Sequence, residues 1–185
     1  MTAATQPVLV VVVGPIAAGK STLAAEVGRR LRERGESVAV VGLDDVARMA
    51  LPTLDWAWAH EVHGQLVRAW LATPVGTVIA EGPSTPAELD QLVRCVPGDV
   101  GVLTVVLSTP WAIALERAVQ DPDRGISKDP DFLRQDHARF ERSRAELACD
   151  LALDGAGASP ATLAQRVLDA LDRRRARPRR PDGTH

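Results

Sequence analysis

The sequence predicts an α/β fold, a three-layer sandwich in which a five-stranded parallel sheet lies between two layers of helices. Short apolar runs alternate along the chain with longer segments that have the periodicity of amphipathic helices. The first run, Val8–Val13, is continuously apolar, which is typical of a strand buried on both faces. Strands that alternate singly with helices form a parallel sheet through right-handed crossovers. Ligands of such sheets bind where the strands end.

The elements follow from local patterns. The first helix carries Leu23, Val27 and Leu31 on one face and stops at Gly35, and the last begins with Ser159 as its N-cap. The predicted strands are residues 8–13, 37–43, 77–80, 102–107 and 149–153. The predicted helices are residues 21–34, 45–50, 55–71, 86–94, 111–119, 131–147 and 159–173. Residues 121–130 are polar, contain two prolines and a glycine, and are predicted to form a loop.

Length and composition predict one globular domain. The chain has 185 residues, 45% of them apolar and 25% charged. We assign residues 1–172 to the domain, with a lid at about 121–130, and residues 173–185 to an Arg-rich, disordered tail. The two cysteines are too few for a disulfide framework or a four-ligand zinc site, and Cys149 is expected to be a buried thiol.

The charge distribution excludes some partners. The net charge is −2, but the Arg-rich tail carries +5 and the body therefore −7. A body of that sign is a poor general binder of nucleic acid. Val8–Val13 is too short to span a bilayer, and no basic residue precedes it as in a signal peptide. We therefore expect a cytoplasmic protein without membrane contact.

The first strand is followed by a phosphate-binding motif. Residues 14–21, GPIAAGKS, match the pattern G-x-x-x-x-G-K-[ST] between a strand and a helix. The glycines allow a tight turn whose amides face an anion, and the helix N-terminus adds its positive dipole end. Lys20 is expected on the β- and γ-phosphates, and Ser21 on Mg²⁺. The residues predicted to hold the nucleotide here are Gly14, Ala17, Ala18, Gly19, Lys20, Ser21 and Thr22. The alternative is a strand-to-helix turn that binds nothing.

Acidic residues end the next two strands. Asp44 and Asp45 follow the second strand, and Glu81 closes the third. One acid can accept a proton from an attacking hydroxyl, and the others can hold Mg²⁺ or its waters. We favour Asp44 as the base and assign Ser21, Asp44 and Glu81 to the metal. Alternatively, Asp45 caps the short helix that follows, and Glu81 is a loop or capping acid.

Basic residues cluster after the fourth strand. Arg117 lies on the helix after it, and Arg124 and Lys128 lie in the predicted lid. Guanidinium or ammonium groups brought over a transferred phosphoryl group stabilise its charge. Arg134 and Arg139 on the next helix are further candidates, although for any single arginine a solvated surface role is the alternative. Lys128 stands out because the chain has only two lysines, the other being Lys20.

The phosphate loop, the acid pair and the basic loop together resemble the small P-loop kinases. The resemblance is to the chloramphenicol phosphotransferase-like and shikimate kinase-like group, and it covers roughly residues 8–171. It implies the P-loop NTPase fold, ATP and Mg²⁺ as cofactors, and a lid after the fourth strand. It further implies that Asp44 binds substrate, that Arg117 lies on the adenine, that Arg124 enters the lid, and that Gly155 belongs to the loop closing the adenine pocket.

Two segments depart from that group. Glu81 is closer to the strand-three acid of uridine kinase-like enzymes, and Asp45 with Arg48 is similar to the D-x-x-R motif of polynucleotide 5′-kinases. These mixed signals leave the acceptor open.

The acceptor is expected between the helices after strands two and three. That region, residues 51–71, holds Trp56, Trp58, His60, His63 and Trp70. Clustered aromatic rings can stack on an acceptor, and packing into the core is the alternative. The spacing of the two histidines is one residue short of the H-E-x-x-H zinc motif, so we discount a metal there. The predicted substrate residues are Asp44, Arg48, Trp56, His60 and Glu81.

The sequence therefore predicts an ATP-dependent phosphotransferase acting on a hydroxyl of a small molecule such as an antibiotic, a nucleoside or another metabolite. Lys20, Asp44, Asp45, Glu81, Arg124 and Lys128 are the predicted catalytic residues. One alternative is a polynucleotide 5′-kinase. Another is a nucleotide-dependent switch without a small acceptor, although the N-K-x-D motif of a GTPase is missing. The sequence does not indicate an oligomeric state.

Overall fold

The computed structural model describes residues 7–50, 54–121 and 125–176. Its centre is a parallel sheet of five strands in the order β2-β3-β1-β4-β5. The strands are β1 (Val8–Val13), β2 (Val38–Gly42), β3 (Thr77–Glu81), β4 (Gly101–Ser108) and β5 (Leu151–Asp154). The predicted α/β fold is confirmed, and the sheet order places the carboxyl ends of β1, β2 and β3 side by side.

Seven helices connect or flank the strands within the described residues. They are α1 (Lys20–Glu33), α2 (Leu43–Arg48), α3 (Trp56–Leu71), α4 (Pro86–Arg94), α5 (Trp111–Gln120), α6 (Pro130–Ser143) and α7 (Pro160–Ala176). Short 3₁₀ turns precede and follow α6, at Ile126–Lys128 and Arg144–Glu146. No helix of this described part is long and apolar enough to cross a membrane.

The alternation of side chains along β1 divides the core into two layers. Val10 and Val12 point to the layer of α1 and α7, where they pack with residues such as Leu23 and Leu168. Leu9, Val11 and Val13 point to the opposite layer, which includes α3, α4 and α6. Each of Leu9 to Val13 is 0% exposed. A strand with both faces covered needs apolar residues throughout, which explains its unbroken run.

Several boundaries differ from the predicted ones. Helix α2 begins at Leu43, directly after β2, so Asp44 and Asp45 lie in its first turn. Strand β5 begins at Leu151 and leaves Cys149 exposed, so the prediction of a buried thiol is wrong. Cys149 follows the apolar Leu147 and Ala148 in the sequence, but it lies before the strand begins, where apolar neighbours do not ensure burial.

The last helix is longer than predicted and ends at Ala176. The segment assigned to the tail therefore begins inside α7. Arg175 donates hydrogen bonds to Glu36 and to Thr77 Oγ1, and Arg174 Nη1 lies 3.4 Å from Asp150 Oδ1. Part of the positive charge of the Arg-rich segment thus binds α7 to the domain. Residues 177–185 lie outside the described residues.

Candidate active site

The phosphate loop, residues 14–21, connects β1 to α1 through two left-handed backbone positions. Gly19, the N-cap of α1, has φ 99°, and Ala17 has φ 59°. Among the residues that the structure describes, Ala17 is the one non-glycine residue with positive φ. Such a conformation is unfavourable for an L-residue by about 1–2 kcal/mol and is retained where the surroundings impose it. The loop is therefore held in a defined shape.

Lys20 spans this loop from the first turn of α1. Its Nζ donates hydrogen bonds to the carbonyl oxygens of Gly14 and Pro15, at 2.9 and 3.0 Å. Burial lowers the pKa of Lys20 from its ordinary value, and nearby carboxylates, first Glu81 and then Asp44, oppose this shift. The ammonium group therefore lies against the first residues of the loop, and carboxylates interact with it electrostatically.

Glu81 ends β3 beside the phosphate loop and is 5% exposed. Its Oε1 accepts a hydrogen bond from Ser21 Oγ at 3.1 Å. Burial raises the pKa of Glu81, while the charge of Lys20 lowers it. A hydroxyl and a carboxylate in contact are oxygen donors of the kind that Mg²⁺ prefers, so the predicted metal residues Ser21 and Glu81 fit that ion.

The acids after β2 converge on the same point. A Cβ atom on Gly42 would lie 2.8 Å from Glu81 Oε1 and 3.0 Å from Asp45 Oδ2. Gly42 is therefore the residue that allows the carboxylates of two strand ends to approach each other. The negative charge of Asp44 raises the pKa of both Lys20 and Glu81, so Asp44 belongs to the same group of charged residues.

Asp45 and Arg48 form an exposed ion pair at 2.9 Å on α2. The Asp45 side chain makes no capping hydrogen bond, so the alternative role as a helix cap is not what the structure shows. Asp44 is also exposed, but unlike Asp45 it acts directly on the pKa of Lys20.

The predicted nucleotide residues on the other side of the loop lie around one cavity. Arg117 Nη2 donates a 2.8 Å hydrogen bond to the carbonyl oxygen of Gly155, which closes the space between α5 and the loop after β5. A Cβ atom on Gly155 would lie 2.3 Å from Thr109 Oγ1. The cavity has a volume of about 180 Å³, and its lining includes Ala18, Gly19, Thr22, Leu107, Arg117 and Gly155.

The aromatic segment on α3 divides into core and surface. His63 is 1% exposed and its Nε2 lies 3.0 Å from the carbonyl oxygen of Val41, so it is a core residue. Trp56 and Trp70 are 49% and 47% exposed, and core packing does not explain them. Trp58 packs against the small apolar cluster formed by Leu43, Ala47 and Ala59. The helix therefore presents Trp56 to solvent at its first residue.

His60 faces an acid that sequence reasoning missed. Its Nε2 lies 3.8 Å from Oε1 of Glu88, on the first turn of α4. The other oxygen of Glu88 accepts hydrogen bonds from the amides of Ser84 and Thr85, which fixes the carboxylate in a capping box. Glu88 also acts on the pKa of Lys20. The sequence contains the capping-box pattern of Thr85 and Glu88, but it does not indicate that Glu88 lies near the phosphate loop.

Two further residues were missed on α6. Asp136 Oδ2 accepts a 2.8 Å hydrogen bond from the amide of Ile16, and His137 Nε2 lies 2.9 Å from the carbonyl oxygen of Ile16. A separation of 120 residues along the chain gives no local signal for such contacts.

The predicted basic residues near the lid have different positions. Lys128 is the last residue of the 3₁₀ turn before α6 and is partly exposed. Arg134 lies over the ring of Trp111, 4.6 Å from its centroid, and pairs with Asp131. Arg139 is exposed. Arg124 lies outside the described residues.

A phosphate loop at the end of β1, with acids at the ends of β2 and β3, defines the class of P-loop proteins. The profile of the AAA_33 family, described as an AAA domain, matches residues 9–147. The chain belongs to this family. A search of curated proteins gives no match.

Solved structures of small P-loop kinases share the fold. The Mycobacterium tuberculosis APS kinase CysC in complex with AMPPNP and APS is 23% identical, with a TM-score of 0.62 over 90% of this chain and 98% of that one. Shikimate kinase from Acinetobacter baumannii in complex with shikimate is 18% identical, with a TM-score of 0.59 over 94% and 97%. A gluconokinase from Sinorhizobium meliloti is 19% identical, with a TM-score of 0.62 over 91% and 93%. The predicted resemblance to the small P-loop kinases is thereby confirmed.

Proposed function

We propose that the protein is an ATP-dependent phosphotransferase that moves the γ-phosphoryl group to a hydroxyl of a small molecule. The observation that carries this proposal is the meeting of acids from two strand ends beside the phosphate loop. Glu81 Oε1 accepts a hydrogen bond from Ser21 Oγ, and a Cβ atom on Gly42 would lie within 3.0 Å of both Glu81 and Asp45. Asp44, next to Asp45, interacts electrostatically with Lys20 and Glu81. One acid at this position can hold Mg²⁺, and a second acid is then available to take the proton of an acceptor hydroxyl. Kinases of small molecules among the proteins with the same fold support the proposal.

Each group in the cluster has a role in phosphoryl transfer. The loop amides and Lys20 hold the phosphates, and Ser21, Glu81 and Asp44 would hold Mg²⁺, which neutralises phosphate charge when bound. Asp44 orients the acceptor hydroxyl and takes its proton as the new O–P bond forms. The bond between the γ-phosphorus and the bridging oxygen breaks at the same time, and ADP leaves with that oxygen on its β-phosphate. Most of the rate enhancement then comes from positioning and charge stabilisation.

The remaining predicted residues complete the site on either side. Arg117, held by Gly155, provides one wall for the adenine. Lys128 and Arg124 are proposed to stabilise the phosphoryl group in transfer from the lid. On the acceptor side, the exposed Trp56 offers a surface on which a planar or apolar part of the acceptor can stack.

The charges of the proposed acceptor side suggest its class. Asp44 and Glu88 are acidic, whereas the basic Arg48 is paired with Asp45. We therefore propose a neutral or positively charged hydroxyl compound, such as a sugar, a nucleoside or an amino-alcohol.

A second candidate function is that of a polynucleotide 5′-kinase. It is favoured by the Asp45–Arg48 ion pair, because these two residues form the D-x-x-R motif. The acidic body argues against a polyanionic acceptor. Transfer of labelled phosphate to the 5′-hydroxyl of an oligonucleotide decides between the two candidates.

The experiment for the main proposal has two stages. Neutral, cationic and anionic hydroxyl compounds are first screened for an increase in Tm in the presence of Mg²⁺ and a non-hydrolysable ATP analogue, since a true acceptor stabilises the folded protein. Compounds that bind are then incubated with ATP, and phosphorylated products are sought by mass spectrometry. A Lys20→Ala variant that phosphorylates such a compound as fast as the wild type contradicts the proposal.

A further inference from the structure

The contacts between α6 and the phosphate loop form a clamp on a single residue. Asp136 and His137 are consecutive on α6, and they contact the two polar backbone groups of Ile16. The carboxylate of Asp136 accepts from the amide at 2.8 Å, and His137 Nε2 lies 2.9 Å from the carbonyl oxygen. Because a carbonyl oxygen only accepts, His137 must carry its proton on Nε2 in this contact. The two peptide planes that flank Ile16 are therefore both held.

Helix α6, which carries Asp136 and His137, is packed into the core of the protein. His137 is 6% exposed, and on the same helix Leu133 and Phe140 are 0% and 1% exposed. Phe140 belongs to the core layer that covers β1, and Leu133 packs in a smaller cluster that includes Ala17 of the phosphate loop. A helix anchored at two points in the core can transmit its position to the loop through short hydrogen bonds.

The residue held by α6 lies next to a strained position of the loop. Ile16 immediately precedes Ala17, whose positive φ is unfavourable for a residue with a side chain. The internal bonds from Lys20 reach Gly14 and Pro15, on the other side of Ile16. The clamp therefore acts at the junction between the part of the loop held by Lys20 and the part held in a strained conformation.

We propose that Asp136 and His137 are positioning residues that hold the phosphate loop in its phosphate-binding shape through Ile16. They do so by hydrogen bonding, and the negative charge of Asp136 is not required. Since that charge also acts on Lys20 beside the phosphate site, it opposes anion binding, and neutral Asn at position 136 keeps the acceptor atom without this cost. The proposal concerns nucleotide binding and does not depend on the identity of the acceptor.

The decisive comparison is between variants that remove the hydrogen bonds and variants that keep them. Affinity for a non-hydrolysable ATP analogue with Mg²⁺ is measured by calorimetry, without acceptor, on protein shown by circular dichroism to be folded. We expect Asp136→Ala and His137→Ala to weaken binding by about tenfold each, consistent with the loss of one hydrogen bond in a positioned network. Asp136→Asn and His137→Gln, which retain the acceptor oxygen and the donor nitrogen, should bind within about twofold of the wild type or more tightly.

Gln135→Ala is the matched control, because Gln135 is exposed on the same helix directly beside Asp136. Its affinity should equal that of the wild type. An Asp136→Asn variant as weak as Asp136→Ala would overturn the proposal, since charge and not the hydrogen bond would then be responsible. Unchanged affinity in both alanine variants would overturn it as well.

Hydrogen exchange of the Ile16 amide gives a readout that needs only wild type and the two Asp136 variants. The amide should be protected in the wild type and in Asp136→Asn, and exchange at least tenfold faster in Asp136→Ala. If the alanine variant does not fold, the exchange rates of the Ile16 amide in the wild type and in Asp136→Asn still test the proposal. Fast exchange at Ile16 in either of them contradicts the clamp. Failure of acceptor phosphorylation in the earlier screen would leave these results unaffected, so the two proposals fail separately.

Discussion

The nucleotide side and the proposed acceptor side of the site are built in different ways. The nucleotide side consists largely of backbone, namely the phosphate loop, the N-terminus of α1 and the carbonyl of Gly155 that holds Arg117. The proposed acceptor side consists of side chains from three helices, among them Asp44, His60 and Glu88. A backbone site needs particular glycines at fixed spacing and is therefore visible as a motif. A site of side chains on separate helices has no fixed spacing, so it depends on the fold.

The same difference explains what the sequence could predict. The alternation of apolar runs and helical periods predicted the five strands and seven helices that the described residues form, because each depends on local burial. The P-loop motif predicted the tight turn between β1 and α1, which the structure contains. The sequence could not predict that Glu88 faces His60 or that Asp136 holds Ile16, since tertiary packing alone brings those residues together. Gly42 was also overlooked, although its lack of a side chain is what lets Glu81 and Asp45 approach.

The largest effect should come from the nucleotide side. Lys20→Ala removes the charge on the phosphates and should lower kcat/KM by about 10³-fold. Lys20→Arg should also be strongly impaired, because a planar guanidinium does not fit where a compact ammonium is placed. Steady-state kinetics with a confirmed acceptor measure both variants. Activity of Lys20→Arg near that of the wild type would show that only the charge matters.

On the acceptor side, the two acids after β2 should differ. Asp44→Asn removes the proposed base, which is also a proposed Mg²⁺ ligand, and should lower kcat by at least about 10²-fold. Asp45→Asn, which breaks only the exposed pair with Arg48, should change kcat by less than about fivefold. Kinetics combined with calorimetric nucleotide binding test this prediction, and the reverse order of effects would assign the base to Asp45.

Gly42 connects the two acidic strand ends and should be sensitive to a single methyl group. Gly42→Ala places a Cβ atom 2.8 Å from Glu81 Oε1, and the carboxylate must move. We expect kcat to fall by about tenfold while the protein stays folded, because small misplacements in a reacting cluster are costly. Gly98→Ala, where a Cβ atom would meet nothing within 4 Å, is the control. Equal kinetics for Gly42→Ala and Gly98→Ala would show that the position of the Glu81 carboxylate is not critical.

Lys128 tests the contribution of the predicted lid. We expect Lys128→Ala to lower kcat by several-fold, up to about tenfold, and to change nucleotide affinity by less than about twofold, because it is proposed to act on the phosphoryl group in transfer. Lys128→Arg, which keeps the charge, should recover part of the rate. A loss seen mainly in nucleotide affinity would place Lys128 on the ground-state phosphates instead.

The smallest effect in this series concerns stability and its dependence on pH. Burial raises the pKa of Glu81 above its ordinary value of 4.5. The folded protein therefore holds the Glu81 proton more tightly than the unfolded chain does. The stabilisation from this group is fully present below pH 4.5 and is lost as the pH rises through the raised pKa.

Glu81→Gln, which is neutral at every pH, should accordingly have a higher free energy of unfolding than the wild type at pH 8, and the difference should vanish near pH 4. Urea unfolding of the nucleotide-free proteins at both pH values measures this. Equal stability at pH 8 would mean that Lys20 compensates fully for the burial of the carboxylate. The same variant should lose phosphotransfer activity, so the acid is retained at a cost in stability.

The most direct test of the central claim measures where the phosphoryl group goes. A compound that stabilises the protein in the screen is incubated with γ-labelled ATP, Mg²⁺ and either wild type or Asp44→Asn. The proposal predicts that wild type transfers the label to the hydroxyl of the compound with one ADP formed for each product, and that Asp44→Asn transfers almost none. Release of the label as inorganic phosphate at a rate that the compound does not change would contradict it.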